Sequence, residues 1–241
     1  IYGGTALADD ANTVIDTATY GAGAVIAWND TLGAWTVTEG SDTDTLYGIE
    51  KVTIDGAVHW LVDNSAGGGL SSIADALGQP GEGHVVHLAN GTYAGNLTIS
   101  ESVTILGPNG ALLGKDQAEG MGARITGTIT VNAAAGKEVS LQGLEFRNLS
   151  DNATSAHAIV VTGAADLTVQ NNLFWSTGPN GNHLPLADFG VFLQTGAGGD
   201  ITITGNAFTG ASQQGFSTAS WRAGVWSDGA ESSLTITSNL F

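Results

Sequence analysis

The sequence predicts an all-β solenoid, in which short parallel strands are stacked coil upon coil around a narrow core. Three observations support this prediction: a strand-like segment that recurs four times, a second segment that recurs between the copies, and a composition suited to strands and tight turns. The copies of the first segment are residues 139–146 (VSLQGLEF), 167–174 (LTVQNNLF), 201–208 (ITITGNAF) and 234–241 (LTITSNLF). Their final phenylalanines are 28, 34 and 33 residues apart, a period typical of solenoids with strand content.

Each copy of this first segment alternates apolar with polar residues, bends at a Gly, Asn or Ser corner, and ends in a second apolar step. Stacked copies would place equivalent residues on neighbouring parallel strands about 4.8 Å apart. We therefore expect an interior ladder of rings: Phe146, Phe174, Phe208 and Phe241. Asparagine tolerates left-handed backbone at a corner and can hydrogen-bond to an asparagine above or below it. We expect a second ladder there: Asn172, Asn206 and Asn239.

The second repeat lies between the copies of the first. Residues 157–163 (HAIVVTG), 189–195 (FGVFLQT) and 223–229 (AGVWSDG) align without gaps at spacings of 32 and 34. Each coil therefore contains at least two strand positions that recur together.

Composition agrees with this architecture. Glycine accounts for 36 of 241 residues and proline for only 4, so the glycines are expected in turns rather than in a disordered linker. Hydrophobic residues make up 42% and charged residues 12%, enough for one elongated domain with a long, thin core. The chain has no cysteine, which excludes disulfides and thiolate metal sites.

The charge balance limits the partners. A formal charge of −17, from 23 acidic against 6 basic residues, argues against nucleic acid and anionic membranes and favours cations such as Ca²⁺. No apolar run approaches the roughly 20 residues that span a bilayer, so membrane insertion is not expected. The chain opens without a signal peptide and stops at Phe241 within a coil. We therefore expect an internal fragment of a longer protein, with the β-helix truncated at its C-terminal end.

Two domains are predicted. Residues 1–66 form a β-rich N-terminal segment with strand candidates at 24–28, 34–38 and 51–54, and residues 67–241 form the β-helix domain. Glycines 67–69 are interpreted as a hinge before a short amphipathic helix at 70–77, whose apolar stripe would be Leu70, Ile73, Ala74 and Leu77. The repeating strands begin at His84. The helix would cap the solenoid, because an open end exposes core and unpaired strand edges.

Two parts of the sequence resemble known protein families, and these resemblances indicate the type of β-solenoid and the cellular location. Segments 70–77 (LSSIADAL), 84–88 (HVVHL), 91–93 (GTY), 96–99 (NLTI) and 103–107 (VTILG) resemble the start of pectin-lyase-like right-handed parallel β-helix proteins, over about residues 66–241. That superfamily includes polysaccharide lyases, esterases and epimerases, phage tailspikes and bacterial adhesins. Segment 40–54 (GSDTDTLYGIEKVTI) resembles the regions beside the calcium-binding nonapeptide repeats of large secreted bacterial proteins of the RTX type, although the nonapeptide itself is absent. Together they imply an extracellular or cell-surface location.

The catalytic residues of these enzyme families do not carry over. Gly95 stands where the pectin methylesterase signature has Glu, residues 171–177 lack the expected catalytic Asp, and no Tyr follows Tyr93 for an alginate epimerase site. One candidate catalytic site remains that matches no known motif. When the coils are aligned, Ala156, Asp188 and Arg222 occupy equivalent positions, in one column, on three successive coils, so that Asp188 and Arg222 are expected to be neighbours.

Six positions further along, the column reads Thr162, Gln194 and Asp228, with His157 and His183 on the same side. These groups could perform general acid–base chemistry on a polysaccharide. The alternative is a lateral Asp188–Arg222 ion pair that contributes about 0–1 kcal/mol.

Two long insertions, residues 175–188 and 209–222, suggest a binding site. They present Trp175, Phe216 and Trp221 among amide and hydroxyl groups, near His183 and Gln194. Flat aromatic rings beside hydrogen-bonding side chains suit the stacking and orientation of a sugar. The alternative is that these rings pack under their own loops.

The sequence therefore predicts a rigid structural or adhesive β-helix module of an exported bacterial surface protein, which contacts a polysaccharide or cell-surface glycan. A polysaccharide lyase or epimerase that works beside Asp188 and Arg222 is the first alternative. A fibre subunit that self-associates through open coil ends is the second. No cofactor is assigned, and Ca²⁺ is the cation that the acidic composition would favour.

Overall fold

A computed structural model describes residues 15–65, 70–81, 83–118, 120–147, 156–175, 187–209, 223–229 and 233–241. Over these residues the chain forms a parallel β-solenoid of about five coils. The predicted all-β, parallel β-helix class is confirmed.

Six strands and one helix precede the first coil. The strands are β1 (Thr17–Tyr20), β2 (Val25–Asn29), β3 (Ala34–Glu39), β4 (Asp42–Leu46), β5 (Lys51–Ile54) and β6 (Ala57–Val62), and the helix is α1 (Ile73–Leu77). Strands β2, β3 and β5 match the strands predicted at 24–28, 34–38 and 51–54.

Each coil then contributes three short strands. The first two coils comprise β7 (His84–Leu88), β8 (Gly91–Ala94), β9 (Leu97–Ile99), β10 (Val103–Leu106), β11 (Ala123–Thr126) and β12 (Ile129–Val131), with a 3₁₀ turn at Gly114–Asp116. The third and fourth comprise β13 (Glu138–Gln142), β14 (Leu144–Arg147), β15 (Ala156–Val161), β16 (Asp166–Gln170), β17 (Leu173–Trp175) and β18 (Ala187–Leu193). The fifth comprises β19 (Asp200–Thr204), β20 (Ala207–Thr209) and β21 (Ala223–Ser227), followed by β22 (Ser233–Thr237).

Three sheets run along the solenoid, and within the coils all of their strands pair in parallel; β5 and β6 of sheet 1, which precede the coils, pair antiparallel. Sheet 1 has the order β1-β5-β6-β7-β10-β13-β16-β19-β22, sheet 2 the order β8-β11-β14-β17-β20, and sheet 3 the order β9-β12-β15-β18-β21. Strand β6 pairs in parallel with β7, so sheet 1 continues from the N-terminal segment into the coils. The division into two domains at residue 66 stays a prediction. A separate antiparallel sheet, β2-β3-β4, is hereafter the cover sheet.

The predicted stacking of the phenylalanines is confirmed, and three of the rings are interior; the prediction that Phe241 is interior is wrong, because that residue is 68% exposed. The rings of Phe146, Phe174, Phe208 and Phe241 stack at centroid distances of 4.8, 4.5 and 5.1 Å, with interplanar angles of 9°, 12° and 2°. Small residues on sheet 3 make room for these rings: a Cβ atom added to Gly190 would lie 2.6 Å from Cε1 of Phe208. The close approach of the rings explains why two of the three copies of the second repeat carry a glycine, Gly190 or Gly224, before their valine.

The predicted asparagine ladder is also confirmed. Asn172 donates from Nδ2 to Oδ1 of Asn206 at 3.0 Å, and Asn206 donates to Oδ1 of Asn239 at 2.9 Å. The left-handed residue at each corner is the one that precedes the ladder asparagine: Asn171 (φ 55°), Gly205 (φ 68°) and Ser238 (φ 57°). The ladder side chains are thereby turned into the core, where they bind backbone.

The helix is shorter than the sequence suggested and has a different buried face. Ser72 caps α1 by accepting a hydrogen bond from the backbone N–H of Asp75. Ile73 and Ala76 are buried, whereas Ala74 is exposed, so the predicted stripe is wrong at that position. Leu70 reaches the core from an isolated bridge to Val62 ahead of the helix. The helix contacts β6 and β7, at the start of the coils, as a cap would.

A connection between β10 and β11 runs lengthwise along several coils, and we call its described residues, 107–118 and 120–122, the axial strap. Its backbone is bonded to the corners of coils that come much later in the chain. Asn171 donates from Nδ2 to the carbonyl oxygen of Gly110 at 3.0 Å. The N–H of Gly114 donates to the carbonyl oxygen of Gly205 at 2.8 Å. The strap therefore ties together coils that otherwise contact only their neighbours.

Candidate functional site

The outer face of sheet 3 carries the strongest candidate site. Strand alternation points Ile159, Val191 and Val225 into the core and leaves the intervening column on the outside. From the first coil to the fifth, this outer column reads Thr98, Thr130, Val160, Phe192 and Trp226. We call Phe192 and Trp226 the aromatic stripe. They occupy neighbouring strands, β18 and β21, in direct register.

Trp226 is the most accessible member of this stripe. Its side chain is 48% exposed, although it sits on a regular strand. Its indole Nε1 donates a hydrogen bond of 2.8 Å to Oδ1 of Asp228, two residues further along. This bond restricts rotation of the ring, so that a large apolar surface faces solvent in one defined orientation.

His157 supports the other end of the stripe. Its ring lies 4.8 Å from the ring of Phe192, tilted by 40°. Its backbone carbonyl accepts a hydrogen bond of 2.6 Å from Oγ1 of Thr128, on the preceding coil. His157, which the sequence offered as a general acid–base candidate, thus packs beside the aromatic stripe.

The predicted polar column beside the stripe is present. The N–H of Gln194 donates to the carbonyl of Val161 at 3.0 Å, and the N–H of Asp228 donates to that of Leu193 at 2.9 Å. These bonds continue the ladder past the strand ends and align Thr162, Gln194 and Asp228 on successive coils. Gln194 and Asp228 are exposed and can exchange hydrogen bonds with a ligand.

The structure corrects the column that contained Asp188. Ala156 pairs with Ala187, and the next pair is His157 with Phe189. Asp188 is therefore the extra residue of a β-bulge, and the gap-free alignment of Ala156 with Asp188 is wrong at this point. The side chain of Asp188 lies outside the described residues, as do Arg222, His183, Phe216 and Trp221. The ion pair and the catalytic role suggested for Asp188 and Arg222 stay predictions.

Trp175 lies on a different sheet from Gln194, the other described member of the predicted ligand-binding set. It ends β17 in sheet 2, where it pairs with Arg147 on one side and Thr209 on the other. Its side chain is half-buried. The structure thus brings together His157, Gln194 and Asp228 on sheet 3 and separates Trp175 from them.

Sequence reasoning missed the aromatic stripe itself. Its signal was present in the second repeat, where Phe192 and Trp226 share one column and alternate with the buried Val191 and a core-facing Val225. Applying the two-residue period of a strand to that repeat would have placed both rings on the outside.

In the described part of the chain, no group of three or more His, Asp or Glu side chains is placed to hold a metal ion. Among those same residues, no helix has the length and apolar character needed to cross a membrane. The role of Ca²⁺ stays a prediction.

Comparison with known proteins gives no match: no family model, no curated protein and no solved structure resembles the chain significantly. The coordinates define a parallel β-helix, and membership of the pectin-lyase-like superfamily and the RTX setting stay predictions.

Proposed function

We propose that this chain is a rigid β-helix module of an exported bacterial surface protein and that it contacts glycans through the outer face of sheet 3. The observation that carries the proposal is the aromatic stripe, in which an oriented, half-exposed Trp226 stands beside Phe192 on neighbouring strands. Aromatic faces next to hydrogen-bonding groups are the usual platform for a sugar ring, whose C–H face stacks while its hydroxyls bind polar groups.

The scaffold beneath the stripe favours binding because it is already ordered. The core under sheet 3 is formed by Ile159 and Val191, both fully buried. Side chains on such a sheet lose little conformational freedom when a ligand binds, so more of the contact energy appears as affinity. The same stacked construction suits a stalk, since each coil is held by its neighbours along the axis.

Charge selects the class of glycan. The chain carries −17, and Asp228 is the one charged residue among the outward positions of the stripe and the polar column described above. A polyuronate would meet net repulsion there, whereas a neutral polysaccharide would not. We therefore assign the face to neutral glycans.

Binding to immobilised polysaccharides tests the proposal. A panel of neutral polymers (cellulose, chitin, xylan) and acidic ones (alginate, polygalacturonate) is compared for the wild type and for Trp226→Ala. We expect the wild type to bind at least one neutral polymer and Trp226→Ala to lose at least about tenfold in affinity, the effect of removing one stacking platform. Trp28→Ala, a half-buried tryptophan on the cover sheet, is the matched control and should bind like the wild type.

The proposal fails if the wild type binds none of the neutral polymers, or if Trp226→Ala binds as well as the wild type. The enzyme alternative predicts turnover of an acidic polysaccharide that survives Trp226→Ala and is lost in Asp188→Asn. The fibre alternative predicts concentration-dependent growth in sedimentation velocity, with no change on adding glycan.

A further inference from the structure

Two histidines face each other on the outer side of sheet 1, at the beginning of the coils. His59 lies on β6 and His87 on β7, and Nδ1 of His59 is 3.0 Å from Nε2 of His87. Their rings are 5.3 Å apart and inclined by 36°. A hydrogen bond between two ring nitrogens needs one donor and one acceptor, so at least one imidazole must be neutral. If both rings were protonated, two donors and two positive charges would meet at this distance.

The cover sheet closes over this pair. Trp35, on β3, approaches His87 edge-on, with centroids 6.1 Å apart. Around the pair, apolar side chains from both sheets form a second core, separate from that of the solenoid; it includes Val37 and Leu46 from the cover sheet and Val52 and Leu61 from sheet 1. Strand pairing places Val52 beside His59 and Leu61 beside His87. The histidines thus lie in the contact between two sheets.

Burial disfavours the charged form of both rings. It lowers the pKa of His59, and it lowers the pKa of His87 to about 3, with the positive charge of His59 as a second cause. The neighbour of His87 on the next strand, Leu106, is apolar.

The charged and titratable groups on the surrounding elements fall into two sets. Those on the cover sheet and its turns are Asp30, Glu39, Asp42, Asp44 and Tyr47, and those on the neighbouring strands of sheet 1 and their turns are Asp16, Tyr20, Glu50, Lys51, Asp55 and Asp63. Several of these acids have other partners: Tyr20 with Asp44, Gly21 with Glu39, Asn90 with Asp30, Asp16 with Glu50, and Ser65 with Asp63.

The contact between the sheets is incompletely packed. A cavity of about 220 Å³ opens at this junction, lined by Trp28, Trp35 and Leu46 from the cover sheet and by Leu61 and Leu70 from the solenoid side. Atoms that border a void lose dispersion contacts, which makes such an interface a weak element of the structure. Trp35 both lines this cavity and touches His87, so a change at the histidines acts directly on the weak contact.

We propose that the His59–His87 pair is an acid-sensitive latch, which holds the cover sheet on the solenoid at neutral pH and releases it in mild acid. The sign follows from linkage. In the closed state both rings have a pKa below the ordinary value of 6.5, which they regain when the cover sheet lifts. The contribution of the two histidines to the stability of the closed state is therefore fully present above pH 6.5 and is lost progressively as the pH falls below that value. From pH 8 to pH 5, His87 alone shifts the closed-to-open ratio about 30-fold, because an uncovered imidazole at pH 5 is protonated about 30 times more often than not.

Thiol labelling tests the latch, since the chain has no cysteine of its own. Val52→Cys puts a thiol beneath the cover sheet, and Val169→Cys puts one in the solenoid core; both positions are fully buried. Labelling with a pyridyl disulfide is compared at pH 7.5 and pH 5.0, after correction for the reactivity of a free thiol. We expect at least a tenfold rise for Val52→Cys and no change for Val169→Cys.

Histidine variants and direct titration complete the test. In a Val52→Cys background, replacing His59 and His87 by Phe should abolish the acid-induced rise, while the matched control His157→Phe should retain it. In the wild type, the imidazole resonances of His59 and His87 should titrate together with the opening. If Val169→Cys becomes reactive together with Val52→Cys, acid unfolds the whole chain and the latch is refuted. If His87 titrates near its ordinary pKa while the thiol of Val52→Cys stays protected, the latch is refuted as well.

Discussion

Replacing Asn206 by alanine should destabilise the solenoid far more than a single lost hydrogen bond would. The side chain is 1% exposed. Its Oδ1 accepts from the backbone N–H of Asn172 at 2.9 Å and from Nδ2 of Asn172 at 3.0 Å. Its Nδ2 donates to the carbonyl of Val169 and to Oδ1 of Asn239, each at 2.9 Å, and also contacts the carbonyl of Thr204 at 3.1 Å. Alanine leaves five groups without this partner. Since each buried group left unpaired costs about 1 kcal/mol or more and some of the five are only partly buried, we expect a loss of about 3–5 kcal/mol.

Asn239→Ala is the matched control, because it removes the same residue type from the same column in a coil that is open to solvent. Asn239 is only partly buried, and water can replace its bonds, so we expect a loss of about 1–2 kcal/mol. Urea unfolding followed by circular dichroism measures the free energy of unfolding of both variants. The slope of that free energy against urea concentration should be equal in the two, which checks that the same unit unfolds. Equal losses for Asn206→Ala and Asn239→Ala would refute the ladder as a buried network.

Two further substitutions probe the ladder of rings and the axial strap. Phe208→Ala removes a ring stacked between those of Phe174 and Phe241, and we expect urea unfolding to show a loss of about 3–5 kcal/mol; a loss under about 1 kcal/mol would contradict the stacking. Gly114→Ala would drive its new Cβ into the backbone oxygen of Asn172, so the strap should lift. Hydrogen exchange at the amide of residue 114 should then rise well above that in the wild type, and unchanged protection would show that the strap is not held there.

The periodic part of the fold was predictable because one physical rule repeats. A strand that must bury the same face in every coil keeps the same residue type at each interior position, so the positions of Phe174 and Phe208 could be read from spacing alone. The same rule failed where the chain departs from the period. The bulge at Asp188 adds one residue to a strand, which a gap-free alignment conceals. The helix is too short for its periodicity to show that Ala76, rather than Ala74, is buried.

The features that sequence did not predict depend on contacts between distant, non-repeating segments. The axial strap bonds Gly114 to Gly205, and the latch joins His59 to His87 beneath the cover sheet. Gly205 belongs to the first repeat, but its partner Gly114 and both histidines lie outside the repeats, so spacing carries no signal for either contact. The candidate site was predictable in part. The outward position of Trp226 could be predicted from the second repeat, whereas the position of Trp175 depends on which sheet its strand joins.

The outer face of sheet 3 changes along the solenoid axis in a way that the core does not. Interior positions are constrained by equivalent residues above and below, so variation is tolerated chiefly on the outside. There the column passes from Thr98 and Thr130 to Val160 and then to Phe192 and Trp226. A purely structural rod has no need for rings on one end of one face, since an exposed aromatic adds nothing to its core. The latch, at β6 and β7, lies four coil spacings from the stripe, roughly 20 Å at the usual strand separation. Because coils interact mainly with their neighbours, the proposed glycan-binding face and the proposed acid-sensitive cover can act independently on one rigid support.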